Sequence, residues 1–220
     1  MKVAIYQLNQ ERARDSPVLL DKGNDIPTAN APVYDEVFNM ETDWSDLTEI
    51  VGDLAVEGHP LYRGKAPGQG DVFVLEDRAY FYGWEGFFEV DFDQAQAMKP
   101  DSLLRVVYVE PNKPAVEAEL DPDIRYLQKA VGGLIECVYN GDGTILVCND
   151  EGKLIGMEGN RRRGNGSVIA GPFFIVGDGG EDFRSLTDAQ TRQCLQRFAQ
   201  PEQISRQEVQ ADMGFIFYSF

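Results

Sequence analysis

The stretch GGLIECVYNGDGTILVCNDEGKLIG, Gly132 to Gly156, constrains the fold of this chain more than any other. Two apolar runs, residues 134–139 and 144–148, flank Asn140-Gly141-Asp142-Gly143, a composition that specifies a tight β-hairpin. With a four-residue loop, Tyr139 faces Thr144, Cys137 faces Leu146 and Cys148 faces Ile135. Both sulfurs are then expected on one side of the sheet as diagonal neighbours, roughly 7–8 Å apart between Cα atoms and beyond comfortable disulfide geometry. Both faces are largely apolar, so the two thiols are expected to be buried and structural.

Spacing disposes of the metal readings of this hairpin. A calcium loop starting at Asn140 would need glycine where Ile145 stands, with Leu146 beside it among the ligands. For zinc there is no CxxC pair, and the single histidine, His59, precedes a proline in a distant segment expected to be a surface loop. The same lone histidine leaves no Ser-His-Asp or Cys-His set, and there is no GxSxG elbow, Walker sequence or GxGxxG after a strand. No catalytic residue, metal or cofactor is implied, and the chain is expected to be non-enzymatic.

The length of 220 residues suits two modest domains. Both are expected to be α+β, each a mainly antiparallel sheet with one or two packed helices. In the first, residues 1–98, strands are expected at 3–8, 71–75, 79–82 and 86–92, with a loop over 11–32. Residues 94–102, QAQAMKPDS, read as a linker. In the second, residues 103–220, a strand at 103–109 leads through an extended passage to a helix with Asp121 as N-cap and Pro122 at its first position, stopped by Gly132-Gly133. After the hairpin come an expected strand at 153–157, the basic loop GNRRRGNGS, and the run VIAGPFFIVG. A capping-box helix from Thr187 to about Ala199 and a final strand, GFIFYSF, complete the reading.

Net charge is −17, and residues 1–100 carry most of the imbalance, with 19 acids against 8 bases. Such a surface repels phosphate backbones, so no direct nucleic-acid binding is expected. No run reaches the ~18 apolar residues of a membrane helix, and three cysteines fit a reducing, cytoplasmic setting. Between Ala31 and Gly58 stand eight acids and no Lys or Arg. In TDWSDLTEIVGDLAVEG, Leu47, Ile50, Val51 and Leu54 mark one apolar helical face and Ser45 a candidate N-cap, while Asp46, Glu49, Asp53 and Glu57 make the helix acidic. Glu49–Asp53 and Asp53–Glu57 are like-charge i, i+4 pairs that destabilise by a few tenths of a kcal/mol each. Those four acids are a candidate face for a protein partner, acting as a phosphate-like surface.

Two family resemblances add to this reading. MKVAIYQLNQER, VYDEVF and YRGKAPGQGDVFVL with YFYGWEGFFEVDF resemble a YodL-like domain over about residues 1–98. VGGLIECVY, CNDEGKLIG, the Asn160-Arg161 pair and IAGPFFIVG, arriving in that order, resemble the family called domain of unknown function 3846 over about residues 103–200. The chain departs from that pattern at Met157-Glu158 and in the extra Arg162-Arg163. The resemblance implies an accessory or anti-defence type protein of phages and conjugative elements, bound to a host or element-encoded protein, and carries no catalytic residue. As the alternative, residues 149–163, with Asn149, Glu151, Lys153, Asn160 and Arg161, form a candidate surface for a small anionic ligand or an enzymatic site.

Overall fold

The computed structural model describes residues 1–20, 26–56 and 58–213, and the chain divides between Asp101 and Ser102 into two units. Both are α+β, built on antiparallel sheets with a few helices, as the strand and helix periodicities predict.

In the first unit, Val3, Ala4, Ile5 and Tyr6 are all buried, so β1 (Lys2–Leu8) has no polar face and must be covered on both sides. It is followed by α1 (Gln10–Ala13), capped by the Asn9 side chain, and by the short ladder of β2 (Leu19–Leu20) and β3 (Thr28–Ala29). The described residues of 11–32 are therefore more structured than the expected loop. β4 (Tyr34–Glu41), which the sequence reading did not place as a strand, pairs with β1 despite the interspersed Asp35, Glu36 and Asn39. After α2 (Leu47–Val56) come β5 (Val72–Leu75), β6 (Arg78–Gly83) and β7 (Gly86–Val90), the expected aromatic meander. The sheet order is β4-β1-β5-β6-β7. One cluster joins Ala4, Tyr6, Tyr34, Val72 and Val74. Elsewhere Trp44, His59 and Tyr62 gather round Phe38, with ring centroids 5.4, 5.0 and 6.3 Å away. His59 lies in the expected loop but is half-buried among aromatic rings, with Nδ1 accepting from Leu61 N.

The second unit contains β8 (Leu104–Val109), β9 (Val116–Leu120), α3 (Ile124–Val131), β10 (Ile135–Tyr139), β11 (Thr144–Asn149), β12 (Gly159–Arg162), β13 (Val168–Ala170), β14 (Phe173–Asp178), β15 (Phe183–Arg184), α4 (Asp188–Arg197) and α5 (Arg206–Asp212). The main sheet runs β10-β11-β14-β8-β9, with β15 on β14; β12 and β13 form a separate hairpin. Every residue of β11 is buried, because both faces are covered. On one face Val107, Leu146, Cys148, Phe173 and Ile175 pack with Cys194 and Phe198 from the α4 region. Across the other lies α3, where the Tyr108 hydroxyl donates to Ala130 O at 3.0 Å.

Three local expectations are corrected. The cap of α3 is Asp123, whose side chain accepts from Arg125 N, two residues later than Asp121; Gly132, with φ of 74°, ends the helix in the left-handed conformation that glycine tolerates best. Residues 153–156 are turns, and the strand begins instead at Gly159, taking in Arg161 and Arg162 but not Arg163 of the expected basic loop. VIAGPFFIVG divides at Gly171-Pro172 into β13 and β14 because a proline there cannot donate to a ladder. The C-terminal strand expected at GFIFYSF lies outside the described residues.

Candidate functional site

In the first unit the acidic residues of the candidate face are each held by a neutral donor. Asp46 Oδ1 accepts from Thr48 N and Glu49 N at 2.8 and 3.0 Å, which makes Asp46, not Ser45, the cap of α2. Glu49 Oε2 accepts from both the amide and hydroxyl of Ser45 at 2.7 Å. Asp53 Oδ2 accepts from the buried Trp44 indole at 2.8 Å, fixing the ring that packs on Phe38. The repulsion along this helix therefore has local compensation that the sequence did not reveal. None of the three makes an ion pair among the described residues; Glu57 lies outside them. On the β1–β4 side of the same unit, a cleft of about 470 Å³ is lined by Gln7, Asn9, Asp35, Arg63, Lys65 and Asp71. Burial pushes the Asp71 carboxyl up, although Gln7 Nε2 and Gly68 N donate to it at 2.9 Å each.

In the second unit the motif residues separate into interior braces and a cleft. Asn160 is fully buried and donates from Nδ2 to Val109 O and Gly171 O at 2.9 Å. Arg161 is 1 % exposed and donates to the carbonyls of Asn160, Lys113 and Phe198, so it ties three segments together and is unavailable to a ligand. Its burial lowers the guanidinium pKa. Asn149 is also buried, with Nδ2 on Val131 O and Oδ1 on Glu151 N; Glu151 is exposed. Lys153 Nζ is bound to Asp212 at 2.5 Å. The structure thus brings Asn149 and Lys153 to one cleft of about 280 Å³, together with Glu136, Cys148, Arg163 and Ser167, and leaves Asn160 and Arg161 out of it.

The hairpin beside that cleft has a register that differs by one residue from the expected one. Gly141 and Gly143 both take positive φ, Asp142 Oδ1 accepts from Thr144 N, and Asn140 N donates to Thr144 O, so Tyr139 pairs with Ile145 rather than Thr144. Cys137 then faces Val147 and Cys148 faces Glu136. A one-residue slip exchanges the faces: the sulfurs lie on opposite sides of the sheet, Cys137 is exposed, and only Cys148 is buried. Burial, then the charge of Glu136, pushes the Cys148 thiol up to about 11, the opposite of what a nucleophile needs.

Comparison with known families gives one match, within the second unit. Residues 104–199 match the family model described as a domain of unknown function (DUF3846). The matched span runs from β8 through α4 and includes the Asn160–Arg161 brace and most of the cleft, whose lining is completed by Met213 beyond the match. No curated protein and no solved structure matches the chain. Among the described residues, no group of three or more His, Cys, Asp or Glu side chains could hold a metal ion, and no helix is long and apolar enough to cross a membrane. Within the DUF3846 segment, sequence reasoning missed Arg197 and weighed Arg163 only as part of a basic cluster. β12 ends at Arg162, so Arg163 opens the turn to β13 while the buried Arg161 lies within the strand, a boundary the run of three arginines does not mark.

Proposed function

We propose that this is a non-enzymatic accessory protein whose first unit binds a protein partner through the acidic outer face of α2, presenting carboxylates as a nucleic-acid backbone presents phosphates. The carrying observation is that Asp46, Glu49 and Asp53 are fixed by neutral donors and paired with no cation among the described residues. A carboxylate held this way stays in a defined place with no cation beside it, and a basic surface meeting it loses little further side-chain freedom. The partner is accordingly a protein with a basic, nucleic-acid-binding surface. The resemblance of residues 1–98 to YodL-like domains, and of the whole arrangement to proteins of phages and conjugative elements, supports a host or element-encoded partner in the cytoplasm and an anti-defence role.

The hydrogen bonds allow a charge-only test. In D46N/E49Q/D53N each new amide keeps a carbonyl oxygen for Thr48 N, Ser45 and the Trp44 indole, so the fold is retained while three charges are removed. A partner recovered by affinity purification should bind this variant at least tenfold more weakly than wild type, and wild type should compete with double-stranded DNA for it. Unchanged affinity, or indifference to DNA, overturns the reading.

A further inference from the structure

Where the tip of the β10–β11 hairpin meets the 163–167 turn and the end of α4, a cleft of about 220 Å³ is lined by Tyr139, Asn140, Arg163, Asn165, Arg197 and Phe198. In a chain of net charge −17 this lining holds two arginines and no carboxylate. Neither arginine makes an ion pair among the described residues. The neighbouring Arg162, by contrast, is bound by both Glu202 and Glu208. Two guanidinium groups beside one small cleft repel each other, and an anion between them reverses the sign of that interaction.

The remaining groups narrow the ligand. Asn165 uses its Oδ1 to accept from Ser167 N, and its amide N–H2 makes no hydrogen bond among the described residues. The backbone N–H groups of Gly164 and Asn165 likewise make none among the described residues. The donors are therefore two guanidinium forks, a side-chain amide and a glycine-containing turn. That number matches the six or more acceptor lone pairs and double charge of a phosphate better than a carboxylate, which one arginine satisfies. Leu146 and Phe198 give the cleft an apolar floor, and the Tyr139 ring, 65 % exposed, stands at its rim. Arg197 lies 4.9 Å from the Phe198 centroid, which restricts the guanidinium before any ligand arrives.

We propose that this cleft binds a small phosphate monoester, the phosphate held by Arg163 and Arg197 and a compact apolar group resting on Leu146 and Phe198 against Tyr139. This is a different surface, in a different unit, from the acidic face of α2, and the two proposals stand or fall separately. Because the surrounding unit is itself acidic, binding depends on direct contact and not on long-range attraction, and extended nucleic acid is excluded by charge.

Calorimetric titration of the full chain with phenyl phosphate, phenyl sulfate and inorganic phosphate tests it. Phenyl phosphate should bind at least tenfold more tightly than phenyl sulfate, which lacks the second charge, and than inorganic phosphate, which lacks the ring. Arg163→Ala and Arg197→Ala should each weaken phenyl phosphate binding at least tenfold. Arg192→Ala, on the same helix but outside the cleft, should leave it unchanged. Arg163 lies on a turn and packs into no core cluster, so its variant stays informative if loss of the Arg197–Phe198 contact disturbs folding. Absence of phenyl phosphate binding up to about 10 mM, or binding unaltered in Arg163→Ala, overturns the proposal.

Discussion

Cys137 and Cys148 show how much chemistry depends on one residue of register. Had the loop held four residues, both thiols would share a face; with Thr144 drawn into the turn, one faces outward and the other is sealed beside Glu136. A maleimide reagent at neutral pH should therefore modify a single thiol in the native protein, and Cys137→Ser should abolish that reaction. Cys148 and Cys194, both raised by burial, should react only after unfolding. The composition of the turn was legible in the sequence, but its length was not, because Asn-Gly-Asp-Gly permits more than one loop and only the Asp142–Thr144 hydrogen bonds choose between them. Arg161 was misjudged for a related reason. An arginine among glycines reads as a surface charge, whereas here its donors satisfy carbonyls of three separate segments, which no local pattern encodes.

Helices were legible where capping chemistry is written in the chain. Thr187 accepts from Gln190 N while the Gln190 side chain reaches back to the Thr187 amide, the reciprocal pair expected from the sequence. Thr187→Ala should lower stability to urea by about 1 kcal/mol. Ser205 and Glu208 repeat this motif at the start of α5, a helix that the same rule would have found. In α2 the apolar face was half right: Ile50 and Leu54 are buried, Leu47 and Val51 only partly. Its cap lay one residue further on, at Asp46. Strands of uniform character, such as β1 and β5, were visible by composition. β4 was hidden by its polar residues, which are accommodated because Glu36 is buried against Arg63, Asn39 and Tyr6.

At the scale of the whole molecule, each unit has its own sheet and core, and the boundary falls between Asp101 and Ser102. Residues 1–101 and 102–220 produced separately should each give a cooperative urea transition with the far-ultraviolet spectrum of a folded α+β protein; a featureless unfolding curve for either would contradict independent cores. The sheet order of the second unit has a kinetic meaning as well. β8 and β9 emerge first from the ribosome and can pair at once, yet the neighbour that completes β8 is β14, about sixty residues later in the chain. Until Phe173, Phe174 and Ile175 have been synthesised, Val107, Tyr108 and Val109 lack the strand on their second side. The slow step in making this protein is thus the closure of one long loop, and an arrested or truncated chain ending before residue 173 would offer that unfinished edge to chaperones or to other copies of itself.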